Sequence, residues 1–400
     1  MTLIEAANWS AMKRFYMPEL DALRFFAFLG VFLGHSWAQA GGFIHPSSVH
    51  FLILLLQSGE FGVDLFFTLS AYLITELLWR ERDRFGSLDV RSFYTRRVLR
   101  IWPLYFAFLL LSIPIIRFVP QMAFSWTYYP AFTFFVGNLM IAWTSSPPAV
   151  IGPLWSVCVE EQFYLTWPLI LKRLSRRGVL IAGVIILIFS TLSRALLVAG
   201  GFSDTVLHMG TFARLDPIAA GIILSAILKG ERPLLGTVMR LLLYAGGIGM
   251  WVVGASLSAT PSAAPLAPLS RIFCTSLVAL GCVAFMLGTL GIARLNRMFI
   301  YLGRISYGLY IFHVMVLDLG LIWIDGFAGW SMWGWAAFSA FELVVTVLIS
   351  AISYRYYEAP FLRLKERFQR IGSGESLAEP VRAEPAFKLS MLSNFRRRAV

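Results

Sequence analysis

Along the chain, long apolar runs alternate with short polar connections, and the runs have the length of helices that cross a bilayer. Leu180 to Leu192 and Phe273 to Ile292 contain no charged residue. Roughly 18–20 apolar residues cover the ~30 Å of hydrocarbon in a bilayer. The pattern predicts ten spans, at about Leu20–Ala38, Phe51–Trp79, Ile101–Val119, Leu154–Leu171, Val179–Ala199, Phe212–Leu228, Leu241–Leu257, Ile272–Ile292, Ile305–Ile324 and Gly334–Tyr354. A shorter apolar piece, Ala131–Trp143, reads either as a half-span or as an interfacial helix. The expected fold is all-α, a polytopic integral membrane bundle of about ten transmembrane helices over residues 20–362. A short segment, 1–19, precedes it, and a basic, mostly disordered tail, 363–400, follows. Neither a repeat of fixed period nor an inverted repeat is visible.

Composition points the same way. Of 400 residues, 58% are hydrophobic and 14% charged, whereas soluble domains carry about 25% charged residues. The formal charge of +12 raises the question of nucleic acid, and its distribution answers it. Lys and Arg cluster after spans two, four, six and eight and in the tail, while the connections 39–50, 120–153, 200–210, 258–270 and 325–333 have none. That asymmetry is the positive-inside pattern, so both termini are expected in the cytoplasm and a nucleic-acid face is excluded. Cys158, Cys274 and Cys282 have neither metal spacing nor the look of a disulfide framework. Lys13 and Arg14 precede a first span that is expected to be retained rather than cleaved.

Ionisable residues within apolar spans are candidates for function. Arg24 and His35 are eleven residues apart, about 16 Å and only ~20° of net rotation along a helix, so they share one face. Arg24 falls near the cytoplasmic interface and His35 deep in the membrane, where an imidazole suits general-base work; a histidine that merely bonds a neighbouring helix fits equally. Glu60 and Asp64, four apart, share a face and either orient His35 or pair with an arginine elsewhere. Arg96, Arg97 and Arg100 at the start of span three suit phosphate binding, although positive charge there also anchors topology. Glu160, Glu161 and Gln162 inside span four are hard to explain by packing alone. Arg214 and Asp216 read as an internal ion pair. Ser306, Tyr310 and His313 form one polar stripe on span nine, as a substrate wall or a helix–helix seam. Arg355 and Glu358, three apart, are placed to pair.

Taken in order, these segments resemble the acyltransferase-3 family of bacterial membrane O-acyltransferases, of the polysaccharide O-acetyltransferase type. The resemblance covers about residues 17–362. It rests on Arg24 with His35, on Gly62–Phe67 as Gly-Val-Asp-Leu-Phe-Phe, on the basic loop Arg96–Tyr105, on Trp155–Tyr164 with Glu160-Glu161-Gln162, and on Ser306–Tyr310 followed by His313. Each piece is weak alone; five in order are specific. The chain departs from the family pattern at Ala71, Tyr72, Cys158 and Phe312, none of which replaces an ionisable motif residue.

The resemblance implies transfer of an acyl group, commonly acetyl from acetyl-CoA, to a hydroxyl of a cell-surface polysaccharide or glycolipid in the bacterial inner membrane. His35 would be catalytic, with Arg24, Glu160, Glu161 and Asp64 in the catalytic set. Arg96, Arg97 and Arg100 would hold the donor, and Ser306, Tyr310 and His313 would support the substrate site. No metal and no tightly bound cofactor are expected; acyl-CoA, a glycan or lipid-linked glycan acceptor and membrane lipids are the expected partners. The chain has no room for an added extracytoplasmic hydrolase-like domain, so it is expected to act alone or with a separate partner protein. A transporter or flippase of a lipid-linked glycan is the rival reading, since it too needs many spans and buried charges.

Overall fold

The computed structural model describes residues 15–39, 46–260, 264–324 and 331–372. All regular structure there is helical. Residues 1–14 of the N-terminal segment and 373–400 of the tail lie outside the described residues. The described start of the tail, residues 363–372, bonds to the rest of the chain. The last helix runs on to Glu366, the Arg96 guanidinium donates to the Phe368 carbonyl at 2.8 Å, and the Phe15 amide donates to the Gly372 carbonyl at 2.9 Å.

Helix α1 spans Pro18–Gln39. The second predicted span is two helices, α2 (Pro46–Ser58) and α3 (Gly62–Phe85), joined by a 3₁₀ turn at Gly59–Phe61. The turn lies against α1, and here glycine is required. A Cβ on Gly59 would run into the Gly30 carbonyl, and one on Gly62 into the Ala27 carbonyl. The close approach places Glu60 beside Gly34, next to His35.

Helix α4 (Val90–Phe118) begins eleven residues before the predicted apolar span, so the basic segment Arg96–Arg100 is helical rather than a loop. Asp89 caps it, accepting from the Ser92 amide at 3.0 Å and the Ser92 hydroxyl at 2.6 Å. These bonds hold the Asp89 carboxyl below its usual range. Pro103 lies inside α4, and close to it two tyrosine hydroxyls tie the helix to its neighbours: Tyr307 donates to the Ile101 carbonyl at 2.9 Å and Tyr357 to the Pro103 carbonyl at 3.0 Å.

The apolar piece at 131–143 forms two short helices, α5 (Tyr128–Thr133) and α6 (Gly137–Thr144). Then follow α7 (Leu154–Leu171), α8 (Arg176–Ala199), the short α9 (Asp204–Met209), and α10 (Asp216–Leu228) after a 3₁₀ turn at Thr211–Arg214. The chain continues through α11 (Thr237–Ser258), α12 (Ala267–Thr289), α13 (Arg297–Arg304), α14 (Ser306–Trp323), α15 (Met332–Ile352) and, beyond a wide turn at Ser353–Glu358, α16 (Ala359–Glu366).

Seven of the described helical stretches are long and apolar enough to cross a membrane: α2–α3 from Phe51, α4, α8, α11, α12, α14, and α15 through α16. The predicted spans that fall outside this set are α1, α7 and α10. Helix α10 has only 13 residues. Arg24, His35, Ser36 and Gln39 dilute the apolar character of α1, and Glu160, Glu161 and Gln162 that of α7. All three are wrapped by other helices, with Phe28, Leu154 and Ile222 fully buried. Protein covers most of each, although Phe26, Leu165 and Ile227 stay exposed, so polar residues on the covered faces are tolerated as they would not be on a lipid-facing helix. By contrast, only 22% of the most apolar stretch of α8 and of α11 is buried, against 61% for α14. Helices α8 and α11 therefore form the rim of the bundle, and α14 stands near its middle.

Candidate active site

The bundle holds two cavities that meet. The first opens at the basic end and is lined by Arg24, Arg96, Arg97, Arg100, Arg304 and Lys365. The second runs inward and shares Arg24, Arg97 and Arg100 with it; Ser70, Glu160 and Tyr310 lie on its walls. The helical start of α4 explains the clustering. Arg96 and Arg100 are one turn apart, as are Arg97 and Arg100, so Arg100 neighbours both of the others on the helix surface.

The three arginines are nevertheless differently engaged. Arg96 is buried and bonded to Glu81 at 3.2 Å as well as to the Phe368 carbonyl. Arg97 lies over the Tyr164 ring at 5.2 Å from its centroid. Among the described residues, Arg97 and Arg100 make no hydrogen bond and no ion pair. Arg24 is held at 2.6 Å by Asp21, three residues before it on α1. Two guanidiniums whose N–H donors are unused among the described residues, and a tethered third, all face one cavity, the kind of donor set that suits a multiply charged anion.

Deeper in, Glu160 faces the second cavity, with Ser70 and Tyr164 against its carboxyl. Ser70 and Tyr164 bond to each other at 2.5 Å. Glu161, one residue on, turns toward α4 and accepts from the Trp102 indole at 3.1 Å. Gln162 is a strut: it donates to Asn138 at 3.0 Å and the Phe135 carbonyl at 2.8 Å, and accepts from Thr211 at 2.6 Å. Ser306 and Tyr310 also line this cavity. The Tyr310 hydroxyl accepts from Ser156 at 2.7 Å and donates to the Pro153 carbonyl at 3.1 Å.

Beyond Tyr310 lies His313, its ring 5.3 Å from the tyrosine ring. His313 meets His35, with Nε2 of His313 3.1 Å from Nδ1 of His35. The partner of His35 is therefore an imidazole from α14, not the carboxyl of Asp64. Asp64 is fully buried at 2.9 Å from Arg214, the arginine elsewhere in the bundle that the sequence left open. Arg214 and Asp216 do not pair with each other. Two positions apart across the start of α10, they point to different neighbours, and Asp216 takes Arg194 of α8 instead. Arg355 and Glu358 likewise have other partners, the Tyr356 ring and the Ser353 hydroxyl.

Several residues that matter to the site or the scaffold were not singled out by the sequence. Ser156 and Tyr164 lie inside the segment Trp155–Tyr164 without being assigned, and Ser70 lies three residues past Gly62–Phe67. Arg194 is a lone arginine in an otherwise apolar run, a signal that intramembrane charge alone makes legible. Glu342, at the middle of α15 and bearing a buried oxygen that lacks a hydrogen-bond partner among the described residues, carried the same signal. Among the described residues no cluster of His, Cys, Asp and Glu has the make-up of a metal site.

The family model described as "Acyltransferase domain" matches residues 17–355. The chain belongs to this acyltransferase family. Among curated relatives it is 26% identical over 373 residues to "Putative peptidoglycan O-acetyltransferase YrhL" of Bacillus subtilis (strain 168), covering 86% of this chain and 55% of the relative. It is also 26% identical over 393 residues to Peptidoglycan O-acetyltransferase OatA of Listeria monocytogenes, covering 87% of this chain and 56% of that protein. The chain thus spans little more than half the length of these relatives. No solved structure matches it. Long apolar helices and family membership together fit a multi-pass membrane member of this family.

Proposed function

We propose that the protein is an O-acetyltransferase of the bacterial inner membrane that takes acetyl from cytoplasmic acetyl-CoA and esterifies a hydroxyl of a cell-envelope glycan. Peptidoglycan, which the names of the relatives specify, is the first acceptor to try. The observation that carries this reading is the pair of joined cavities, which lead from free arginines at the basic end to Tyr310, against which the histidine pair lies. Arg97 and Arg100, with Arg24 beside them, hold the phosphates of the donor, while Arg96 braces the wall. The thioester reaches inward along Glu160, Ser70 and Tyr164.

At the reacting centre, His35 takes the proton of the acceptor hydroxyl as its oxygen attacks the thioester carbonyl. The carbon–sulfur bond breaks, and the proton passes from the imidazolium to the leaving thiolate, so ester and free thiol are the only products. Two observations support cytoplasmic termini and an even number of crossings, ten in this reading. Lys and Arg crowd one set of connections, and the Phe15–Gly372 hydrogen bond brings the two described ends of the chain to one face.

The test is the O-acetyl ester content of envelope glycans in a deletion strain carrying either the wild-type gene or His35→Ala at matched membrane levels. Ester restored by the wild type and absent with His35→Ala is the expected result, and the fraction that regains ester identifies the acceptor. Equal ester in both strains would remove His35 from catalysis. Unchanged ester on deletion would favour export of a glycan over its acylation.

A further inference from the structure

We infer that His313 is a positioning residue that fixes the tautomer of His35, so that Nε2 of His35 is the nitrogen that accepts the proton of the acceptor. The inference rests on the proposed catalytic role of His35 and adds which of its atoms reacts and what decides it.

The argument starts at the far end of the pair. Nδ1 of His313 lies 2.5 Å from the backbone carbonyl of Tyr310, one helical turn earlier. A carbonyl oxygen only accepts, so this Nδ1 carries a hydrogen. In a neutral imidazole the other nitrogen is then bare and accepts. That bare nitrogen, Nε2 of His313, is the one 3.1 Å from Nδ1 of His35. Nδ1 of His35 therefore donates, and its Nε2 is left with the lone pair.

The ring geometry supports a hydrogen bond rather than a face-to-face stack. The two rings are within 6° of parallel, and their centroids are 5.2 Å apart. That separation exceeds the nitrogen–nitrogen distance by close to two ring radii, so the nitrogens lie nearly on the line between centroids. Rings stacked face to face would bring centroids about as close as atoms. Lone pair and N–H instead point at each other in the ring planes, the alignment a hydrogen bond requires.

His313 is held in this pose. It is fully buried, with Phe28 perpendicular to it at 5.8 Å and Tyr310 against it. His35 keeps some accessible surface, and its Nε2 has no hydrogen-bond partner among the described residues. One ring is thus locked and saturated, while the other presents a single free nitrogen whose protonation state the first dictates. Carboxylates orient histidines in the same way in many hydrolases. Here a neutral acceptor does so, which suits a site deep in the bilayer where an additional charge is costly.

The experiment uses the full chain with three substitutions at one position. His313→Gln keeps a carbonyl acceptor where Nε2 was. His313→Phe keeps a planar ring and removes the acceptor. His313→Ala removes both. All are compared with His35→Ala for glycan ester in the deletion strain at matched membrane levels. In parallel, ¹⁵N spectra of the histidine-labelled protein in lipid vesicles report the protonation of each His35 nitrogen, with the His35→Ala spectrum providing the assignment.

We expect His313→Phe and His313→Ala to lower ester formation by about 10²–10⁴-fold, the range a misplaced general base costs, and His313→Gln to recover most of it. Wild type and His313→Gln should show Nδ1 of His35 protonated and Nε2 bare, and His313→Phe should lose that preference. Wild-type spectra with the proton on Nε2, or a His313→Phe variant with unaltered spectra and full ester beside a dead His35→Ala, would overturn the inference and leave the acyltransferase reading standing. Full activity of His35→Ala would instead sink that reading, while the spectra still judge the tautomer.

Discussion

Arg194, which is buried, and Arg97 and Arg100, which are part-buried, carry the same charge and have opposite environments. Arg194, between α8, α10 and α12, has every donor occupied. Its Nε donates to the Ile272 carbonyl at 2.7 Å, Nη1 to the Ala213 carbonyl at 2.8 Å and to Asp216, and Nη2 to Asp216 at 2.8 Å and Ser276 at 3.0 Å. Asp216 is saturated in turn, accepting also from Ser190 at 2.5 Å and Ser276 at 2.6 Å. Arg97 and Arg100 face a cavity instead and make no hydrogen bond among the described residues. A saturated buried charge has no capacity left for a ligand, whereas an unsaturated one beside a cavity has its donors in reserve for one. The difference lies in partners rather than in residue type, and it separates the scaffold from the site.

The largest effect is expected when a partner is removed from the saturated set. Asp216→Ala leaves Arg194 buried without its counter-charge, and loss of one member of such a pair costs about 3–5 kcal/mol. Thermal unfolding of the purified protein in detergent should show a large drop in midpoint, with Arg100→Ala close to wild type. Asp216→Ala unfolding at the wild-type temperature would mean that the Arg194 network is not a structural anchor.

How much of this division was legible in the sequence depends on whether the partner was local. Helix-forming apolar runs, the side of the basic clusters and the shared face of Arg24 and His35 follow from spacing along one helix. The break at Gly59–Phe61 did not, because it answers to the backbone of α1 rather than to anything within its own run. The partners of the buried charges were the least readable. Arg214 and Asp216 are near neighbours in sequence, yet one reaches back 150 residues to Asp64 and the other 22 to Arg194. His35 finds its partner 278 residues away. In each case the residue type marked the position as costly to bury, and only the packing of distant helices decided what would offset the cost.

The unsaturated set should respond in binding rather than in folding. On the proposed reading, Arg97→Ala and Arg100→Ala each remove charge-assisted hydrogen bonds to donor phosphate worth about 1.5–3 kcal/mol, and the expected result is a KM for acetyl-CoA raised roughly tenfold or more with kcat nearly unchanged. Arg96→Ala serves as the control inside the same cluster. It releases Glu81 and the Phe368 carbonyl, so stability should fall more than donor affinity. Should Arg96→Ala behave like Arg97→Ala in both assays, the division between saturated and unsaturated arginines would not hold within this helix.

The smallest effect concerns a group that stands between the two classes. The Tyr164 hydroxyl is bonded to Ser70 at 2.5 Å, yet both residues line the inner cavity and Tyr164 carries Arg97 over its ring. Tyr164→Phe keeps the ring beneath Arg97 and removes only the hydroxyl, so the cost should be about 0.5–1.5 kcal/mol. If the hydroxyl only ties α7 to α3, that cost appears in the unfolding midpoint and the kinetic constants stay put. If it contacts the donor arm beside Glu160, stability is nearly unchanged and kcat/KM falls several-fold. The second outcome is the one expected from its place on the cavity wall, because Ser70 can turn its own hydroxyl to Glu160 once Tyr164 is gone, which leaves no buried group unpaired. Adding Ser70→Ala to Tyr164→Phe removes that compensation. The double variant should then lose more than the two single variants together, and simple additivity would place the pair with the scaffold.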